Sequence, residues 1–288
     1  GAQRDPAARA CGRRTVTSPA TGAVVTARRP LAFITGASSG IGQALAWRMW
    51  QAGYDLALVA RRGETLQAWR LSQGMDESRC RIYVADVSDI EQIVAAARSC
   101  IARQGLPDVV VANAGISIGM DTAVRGDLDV MARIYATNNL GLAATFHPFV
   151  APMRERGSGR LVGIASVAGI RGLPGSAAYC SSKAAAISYC ESLRVELRRS
   201  GVRVVTISPG FIDTPLTRSN RYAMPFLMQP SDFADRALKA IEAGDSHRII
   251  PWQMAWVARL LRLLPNGLFD RATSCLLYTS DAADDLLC

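Results

Sequence analysis

The fold is decided by the stretch Leu31-Ala-Phe-Ile-Thr-Gly-Ala-Ser-Ser-Gly-Ile-Gly42, in which a short apolar run leads into a glycine-rich turn. We predict that Leu31–Thr35 is a buried strand and that Ile41–Ala52, which has helical periodicity, is a helix ending before Gly53. A turn of this kind can bind a dinucleotide pyrophosphate, because the helix that follows it offers free N–H groups and positive potential at its N-terminus. A simple tight turn is the alternative for this stretch taken alone.

Apolar strands and helices alternate along the rest of the chain. The further predicted strands are Asp55–Ala60, Cys80–Ala85, Asp108–Ala112, Gly159–Ala165, Val202–Ile207 and His247–Pro251. Predicted helices end near Gln73 and Gln104, and others span Asp127–Met153, Ala177–Ser200 and Ser231–Ala243. Continuous apolar strands that alternate with helices indicate a parallel sheet with both faces covered. We therefore predict an α/β fold, a doubly wound, Rossmann-like parallel sheet of about seven strands with helices on both faces, in a single domain over residues 31–251.

Composition excludes several other classes of protein. Hydrophobic residues make up 49% of the 288 residues, which is too many for a disordered chain. The formal net charge is +9, but aromatic and basic residues do not interleave on the body of the chain, so no nucleic-acid partner is predicted. Seven cysteines without a CxxC pair indicate buried free thiols in a reducing compartment, hence the cytoplasm. The two histidines, His147 and His247, lie far apart in sequence, and no metal site is predicted.

The two ends of the chain differ from its body. Residues 1–30 are rich in arginine and are predicted to be a disordered or non-native extension, and residues 276–288 a non-native tail. The segment 252–275 is apolar but contains Arg259, Arg262 and Pro265, so it is too short and too charged to span a bilayer. It is either a helix at a membrane surface or a helix packed on the domain or on a partner subunit, and we favour packing.

The sequence Tyr179-Cys-Ser-Ser-Lys183, with Ser166 thirteen residues upstream of the tyrosine, carries the chemistry. A tyrosine and a lysine four residues apart lie on one face of a helix. A phenol beside an ammonium group loses its proton more readily than a free phenol, and a serine hydroxyl can hold a substrate oxygen. These groups indicate hydride transfer to or from a carbonyl carbon, with Tyr179 as the proton donor or acceptor. An ordinary helix face is the alternative.

The end of the second strand, Ala60-Arg61-Arg62, indicates which cofactor is used. An acid at this position would bind the ribose of NAD, whereas a base accommodates the 2′-phosphate of NADP. Because no acid occurs before Glu64, we favour NADP (NADPH) over NAD, with Arg61 as the main phosphate contact and Arg62 as the second. Two solvated arginines at a helix start are the alternative.

Two motifs at later strand ends fit the same cofactor. Asp86 can accept a hydrogen bond from the adenine amine, or it can cap the following helix, or it can do both. Asn113-Ala-Gly115 suits close passage of the backbone beside the cofactor, with a simple turn as the alternative.

Taken together, these motifs resemble those of the short-chain dehydrogenase/reductase family, in its compact single-domain branch. The resemblance covers about residues 31–251 and rests on TGxxxGIG at 35–42, Asp86-Val87, Asn113-Ala114-Gly115, Asn138-Asn-Leu-Gly141, Ser166, YxxxK at 179–183 and PGFIDT at 209–214. It implies an enzyme that uses NAD or NADP to interconvert a small-molecule alcohol and its carbonyl compound. It also implies a homodimer or homotetramer.

The resemblance assigns a role to each catalytic residue. Tyr179 would be the general acid/base, Ser166 would hold the substrate oxygen, and Lys183 would bind the nicotinamide ribose and lower the pKa of the tyrosine. Asn138 would hold a water that links Lys183 to solvent, with Asn139 the less favoured occupant of that position. The predicted cofactor contacts are Gly36, Ser38, Ser39, Gly40, Ile41, Gly42, Arg61, Arg62, Asp86, Val87, Asn113, Ala114, Gly115, Tyr179, Lys183, Pro209, Gly210, Ile212 and Thr214.

The substrate pocket is predicted to be lined by Ile116–Met120, by Val167–Gly175 and by the segment after Thr214. That segment, Pro215–Gln229, contains Tyr222, Met224, Phe226, Leu227 and Met228, so an apolar lid over an apolar alcohol or ketone is one interpretation. The other is a loop that packs on the body and says nothing about the substrate. A nucleotide-binding sensor or scaffold without turnover, and an epimerase or dehydratase on the same fold, are the alternative functions.

Overall fold

The computed structural model describes residues 28–218 and 224–281, with side chains described as far as Thr273. Most of the two predicted end segments, residues 1–27 and 282–288, lies outside these ranges, as does Tyr222 of the predicted lid. Arg28–Pro30 already contact the domain. The Arg28 guanidinium lies 2.9 Å from the Asp108 carboxylate, and the Asp55 N–H donates to the Pro30 carbonyl at 2.8 Å.

One parallel sheet of seven strands forms the centre of the fold, in the order β3-β2-β1-β4-β5-β6-β7. The strands are β1 Leu31–Thr35, β2 Asp55–Ala60, β3 Cys80–Val84, β4 Val109–Ala112, β5 Gly159–Ile164, β6 Val202–Pro209 and β7 His247–Ile250. The predicted doubly wound α/β sheet is therefore confirmed. The strand order reverses direction between β1 and β4, and ligands bind such folds at the carboxyl ends of the strands beside that reversal.

The helices cover both faces of this sheet. They are α1 Gly40–Gln51, α2 Gly63–Ser72, α3 Ile90–Gln104, α4 Asp127–Tyr135, α5 Gly141–Arg156, α6 Ala177–Glu196, α7 Pro230–Ala243, α8 Trp252–Leu263 and α9 Asn266–Asp281. Helices α1 and α7 pack together on one face, and α3 and α5 pack on the other. Successive side chains of a strand point to opposite faces of the sheet, and the buried ones form two separate apolar cores. On the second face the fully buried rings of Phe33 and Phe149 meet with their centroids 5.0 Å apart.

The predicted single helix Asp127–Met153 is interrupted by a π-helical turn at Ala136–Leu140, which joins α4 to α5. A π-helical turn accommodates one extra residue, and such turns occur frequently at functional sites. Hydrophobic periodicity cannot show a single inserted residue. Other boundaries differ by a few residues, as when α6 ends at Glu196 rather than at Ser200 and β6 continues to Pro209.

Four of the seven cysteines, Cys80, Cys100, Cys180 and Cys190, are buried free thiols in the structure. Burial raises the pKa of the Cys80 and Cys100 thiols to about 12, so both remain protonated and unreactive at neutral pH. Within the described part of the chain, no helix is both long enough and apolar enough to cross a bilayer.

Candidate active site

The polar motifs collect around one cavity of about 790 Å³ at the carboxyl ends of the strands. Its wall includes most of the predicted site residues, namely Gly36, Ser38, Ser39, Gly40, Ile41, Arg61, Arg62, Asp86, Val87, Asn113, Ala114, Gly115, Ser166, Tyr179, Lys183, Pro209, Gly210, Ile212 and Thr214. Two predicted residues, Gly42 and Asn138, are not in the wall and lie behind it.

Two glycines of the turn, Gly36 and Gly42, are packed too closely to carry a side chain. Gly36 has a φ of +66°, and a Cβ there would lie 2.8 Å from the Ala114 Cα. A Cβ on Gly42 would lie 2.3 Å from the Gly36 carbonyl oxygen, so Gly42 packs against the turn, and its predicted contact with the cofactor stays a prediction. Gly40 and Ile41, the first residues of α1, line the cavity. The N–H groups of a helix's first turn have no acceptor within the helix and can therefore bind an anion.

A hydrogen-bond network fixes the end of β4 to the end of β1. The Thr35 hydroxyl accepts from the N–H groups of Asn113 at 3.1 Å and Ala114 at 3.2 Å. The Asn113 side-chain amide donates to the carbonyls of Thr35 at 3.0 Å and Gly36 at 3.3 Å. The Asn113 side chain thus joins the two strand ends and leaves backbone at the cavity surface. The part played by Thr35 was not predicted, since a threonine at the end of a buried strand carries no specific signal.

Two arginines and one carboxylate surround the end of the cavity beside β2 and β3. The Arg61 guanidinium lies 3.6 Å from the Asp86 carboxylate, and Arg62 donates to the Ser38 hydroxyl at 3.5 Å. Asp86 accepts from the Ser88 N–H at 2.9 Å and from the Ser88 hydroxyl at 2.7 Å. Partial burial opposes ionisation of Asp86, but the Ser88 hydrogen bonds and Arg61 outweigh it and lower its pKa. Asp86 does not cap α3, because Asp89 accepts the Gln92 N–H there.

Ser166, Tyr179 and Lys183 meet at the opposite end of the cavity. The Lys183 ammonium lies 5.8 Å from the centroid of the Tyr179 ring. Gly169 brings the serine to this place, because a Cβ there would lie 2.6 Å from the Lys183 carbonyl carbon, and only glycine lets the turn after Ser166 lie against α6. The Ser166 oxygen accepts from the Ala168 N–H at 3.1 Å, which leaves the hydroxyl hydrogen to donate to a ligand.

Lys183 is almost completely buried, with 5% of its surface exposed. Its ammonium group donates to the Ile164 carbonyl at 2.9 Å, but no carboxylate pairs with it among its hydrogen-bond and ion-pair partners in the described chain. Desolvation consequently lowers the pKa of Lys183 to about 8. At neutral pH the group is still mostly protonated, and burial shields its positive charge from bulk water.

Asn138 is buried behind the cavity and its side chain is occupied by protein partners. Its amide oxygen accepts from the Ile116 N–H at 2.9 Å. Its amide nitrogen donates to the Ile116 carbonyl at 3.0 Å and to the Ser182 hydroxyl at 2.9 Å. The side chain thus ties the π-helical turn to the residue after Gly115 and to α6, and its predicted role in holding a water stays a prediction. Asn139 donates to the Ser182 carbonyl at 2.8 Å.

The cavity wall differs from the predicted substrate wall in two places. Ile116–Ile118 and Pro215–Thr217 are in this wall, whereas Gly119, Met120 and Val167–Gly175 are not. Within that loop the Arg171 guanidinium donates to the carbonyls of Leu261 and Leu264 at the junction of α8 and α9. Conversely, Arg133, Ala136 and Thr137 line the cavity and were not predicted. Their spacing places them on one helix face just before Asn138, which was the only available signal.

Comparison with known proteins agrees with this arrangement. Residues 30–224 match the short chain dehydrogenase family. An uncharacterized oxidoreductase from Myxococcus xanthus is 41% identical over 241 residues, covering 84% of this chain and 95% of the relative. An acetoacetyl-CoA reductase from an Acinetobacter species is 33% identical over 193 residues, covering 66% and 77% of the two chains.

The fold is also shared with solved structures. A short-chain dehydrogenase from Streptomyces avermitilis superposes with a TM-score of 0.73 at 23% identity, over 90% of this chain and 99% of the other. That likeness concerns the fold, while the sequence match carries the assignment of family. The chain therefore belongs to the short-chain dehydrogenase/reductase family of oxidoreductases.

Proposed function

We propose that this protein is an NADP-dependent oxidoreductase that interconverts an alcohol and a ketone or aldehyde. One observation carries the proposal. A single cavity has Ser166, Tyr179 and Lys183 in its wall at one end and two arginines at the other. The first group suits proton transfer to a carbonyl oxygen, and the second suits a phosphate on the adenosine ribose.

The residues of the cavity fit a dinucleotide. The N–H groups at the start of α1 would bind the pyrophosphate, Asp86 and Val87 the adenine, and Asn113–Gly115 the cofactor backbone beside β4. Pro209, Gly210, Ile212 and Thr214 would contact the nicotinamide half. When bound, the cofactor supplies or accepts the hydride.

The protein's own groups would manage the proton. The Ser166 hydroxyl, whose oxygen is held by the Ala168 N–H, donates a hydrogen bond to the substrate oxygen. In the reducing direction the Tyr179 phenol gives its proton to that oxygen, and in the oxidising direction the phenolate takes it back. The Lys183 ammonium would favour the phenolate by its positive charge, and burial strengthens this interaction because little water screens it.

Preference for NADP is proposed from Arg61 and Arg62. Asp86 neutralises part of the charge of Arg61. Among the described residues Arg62 hydrogen-bonds only to the Ser38 hydroxyl, so net positive charge remains at this end. Hydrogen bonds to charged groups are worth roughly 1.5–3 kcal/mol, so Arg61→Ala should raise the Kd for NADPH at least about tenfold and leave that for NADH little changed. Arg203→Ala is the matched control, because Arg203 lies at the start of β6, at the end of the strand away from the cavity. Fluorescence titration of the wild type that found NADH bound as tightly as NADPH would contradict the proposal.

Turnover is tested with Tyr179→Phe. We expect kcat to fall by about 10²–10⁴ while NADPH still binds, because only the proton-carrying oxygen is lost. Tyr189→Phe, on the exposed side of the same helix, is the control and should behave as the wild type. The assay follows NADPH absorbance over a panel of carbonyl compounds. A wild-type protein that binds NADPH but reduces none of them would instead support the sensor or scaffold function.

An apolar substrate is proposed from the segment after Thr214. Leu216 lines the cavity, and Phe226 and Leu227 further along the segment are exposed. Within the panel, longer alkyl ketones should therefore have a lower KM than short polar ones. We also propose that the protein is cytoplasmic, which agrees with its buried free thiols. We propose further that it is a homodimer or homotetramer, and light scattering measures that oligomeric state.

A further inference from the structure

Helix α8 packs on the domain through one face only. Met254 and Ala258 on that face are buried. Gly210 of the cavity wall lies directly against the helix, because a Cβ there would meet the Met254 side chain at 2.8 Å. Helix α8 of the segment 252–275 therefore packs on the domain, but this contact leaves its opposite face uncovered.

The opposite face of α8 carries four large apolar side chains. Trp252 and Trp256 are each 63% exposed, Leu260 is 62% exposed and Leu263 is 80% exposed. Their spacings of four, four and three residues place them in one row along the helix, which we call the outer stripe. Single exposed apolar residues are ordinary, but a continuous row of this length, two tryptophans included, indicates a binding surface.

The charges beside the outer stripe indicate what it binds. Helix α8 contains Arg259 and Arg262 and no acidic residue. The Arg259 guanidinium lies 5.3 Å from the centre of the Trp256 ring, so positive charge lies directly beside the stripe. If two copies of the stripe packed on each other, arginines from both would meet in one seam, with no carboxylate on either helix to pair with them. Anionic headgroups above an apolar layer complement both features.

The helix is held rigidly in this position. The Arg171 guanidinium donates to the carbonyls of Leu261 at 2.6 Å and Leu264 at 2.7 Å, at the C-terminal end of α8. It also stacks on the Phe269 ring of α9 at 4.0 Å. In the reverse direction Arg262 donates to the Ile170 carbonyl at 3.1 Å. The outer stripe is thus pre-ordered, so that binding costs little conformational entropy.

We propose that the outer stripe binds an anionic phospholipid surface. The helix lies parallel to the bilayer, with its tryptophans and leucines among the headgroups and upper acyl chains, and does not cross the membrane. This inference is independent of the proposed cofactor and substrate, since it rests only on α8 and its neighbours.

The test is co-sedimentation of the full chain with phosphatidylcholine vesicles that do or do not contain phosphatidylglycerol. We expect the wild type to partition onto the anionic vesicles and to be released as salt rises. The double variant Trp256→Ser/Leu263→Ser should bind at least about tenfold more weakly, because apolar burial is lost. Leu71→Ser/Val195→Ser, which removes two exposed apolar side chains elsewhere, should bind as the wild type does.

A second variant keeps the apolar surface intact. Arg259→Gln should weaken binding to anionic vesicles about fivefold, since one basic residue near such a surface is worth about 1 kcal/mol. Far-UV circular dichroism and the melting temperature of each variant check that it is folded. A wild-type protein that stays in the supernatant would overturn the proposal. So would a wild-type dimer that the double substitution dissociates, because a second copy would then cover the stripe.

Discussion

Replacing Lys183 by methionine should make the protein inactive. At neutral pH it should also remove the free-energy cost of desolvating the ammonium group on folding. The ammonium is buried, no carboxylate of the described chain is among its hydrogen-bond and ion-pair partners, and its pKa is lowered from 10.5 to about 8. Below pH 8 both the folded and the unfolded states carry the proton, so folding must desolvate a charge. Between pH 8 and 10.5 the folded state releases the proton while the unfolded state keeps it, and stability therefore rises with pH in that window.

The magnitude follows from the shift. A pKa difference of this size corresponds to about 3 kcal/mol, of which about 2 kcal/mol is recovered between pH 7 and pH 9.5. Lys183→Met has no such group, so its free energy of unfolding relative to the wild type should fall by about 2 kcal/mol over that range. Loss of the hydrogen bond to Ile164 shifts the whole difference curve but not its slope. Titrating groups that do not interact with Lys183 cancel, because both proteins contain them in the same surroundings. Carrying Tyr179→Phe in both proteins removes the phenol that the ammonium influences.

Urea unfolding followed by tryptophan fluorescence at several pH values between 7 and 9.5 measures this difference. Lys183 and Lys239 are the only lysines among the 33 basic residues, so the chain provides its own control. Lys239→Met on the exposed side of α7 should give a flat difference curve. If the wild type and Lys183→Met had parallel stability curves across this range, the ammonium would not be desolvated on folding and the reasoning would be refuted.

Three further changes test other parts of the site. Gly42→Ala should weaken NADPH binding at least about tenfold, because the added Cβ would lie 2.3 Å from the Gly36 carbonyl oxygen. Calorimetric titration measures the affinity, and an unchanged affinity would show that the turn can open. Ser166→Ala should lower kcat about a hundredfold at constant cofactor affinity, in steady-state and titration assays; a change in cofactor affinity alone would assign the serine to binding. Arg171→Gln should lower the melting temperature by several degrees and speed proteolysis between α8 and α9, because at least two hydrogen bonds to carbonyls are lost. An unaltered digestion pattern would show that other contacts hold the two helices.

The sheet could be predicted because each of its strands is a short apolar run that ends in a polar or glycine-rich motif. Each motif directly follows a strand, so its place at the carboxyl edge of the sheet could be predicted together with its chemistry. Arg61, Asp86 and Asn113 were therefore expected around one cavity, and they line it. The location of the Tyr179 and Lys183 side chains could be predicted for the same reason, since both lie on one face of α6.

What could not be predicted depends on contacts between residues far apart in sequence. Arg171 lies in a loop predicted to line the substrate pocket, but three carbonyls and an amide oxygen at the junction of α8 and α9 satisfy its guanidinium instead. The full set of hydrogen bonds that buries Asn138 likewise needs Ile116 and Ser182, which no local pattern connects to it. The Lys183 ammonium is buried beside the Ile164 carbonyl and Gly115, which no local pattern connects to it, so its lowered pKa could not be predicted either.

The π-helical turn between α4 and α5 has a consequence for changes in chain length. An α-helix advances by about 100° per residue, so the extra residue rotates everything after it by roughly that angle relative to a regular helix. Thr137 can therefore face the cavity while Phe149, further along the same rod, faces the sheet. Deleting one residue from Ala136–Leu140 would leave a regular α-helix with nearly the same helix propensity. The parts of the helix before and after the deletion could then no longer both keep their present contacts. The length of this turn is thus as strictly determined as the identity of any side chain in it.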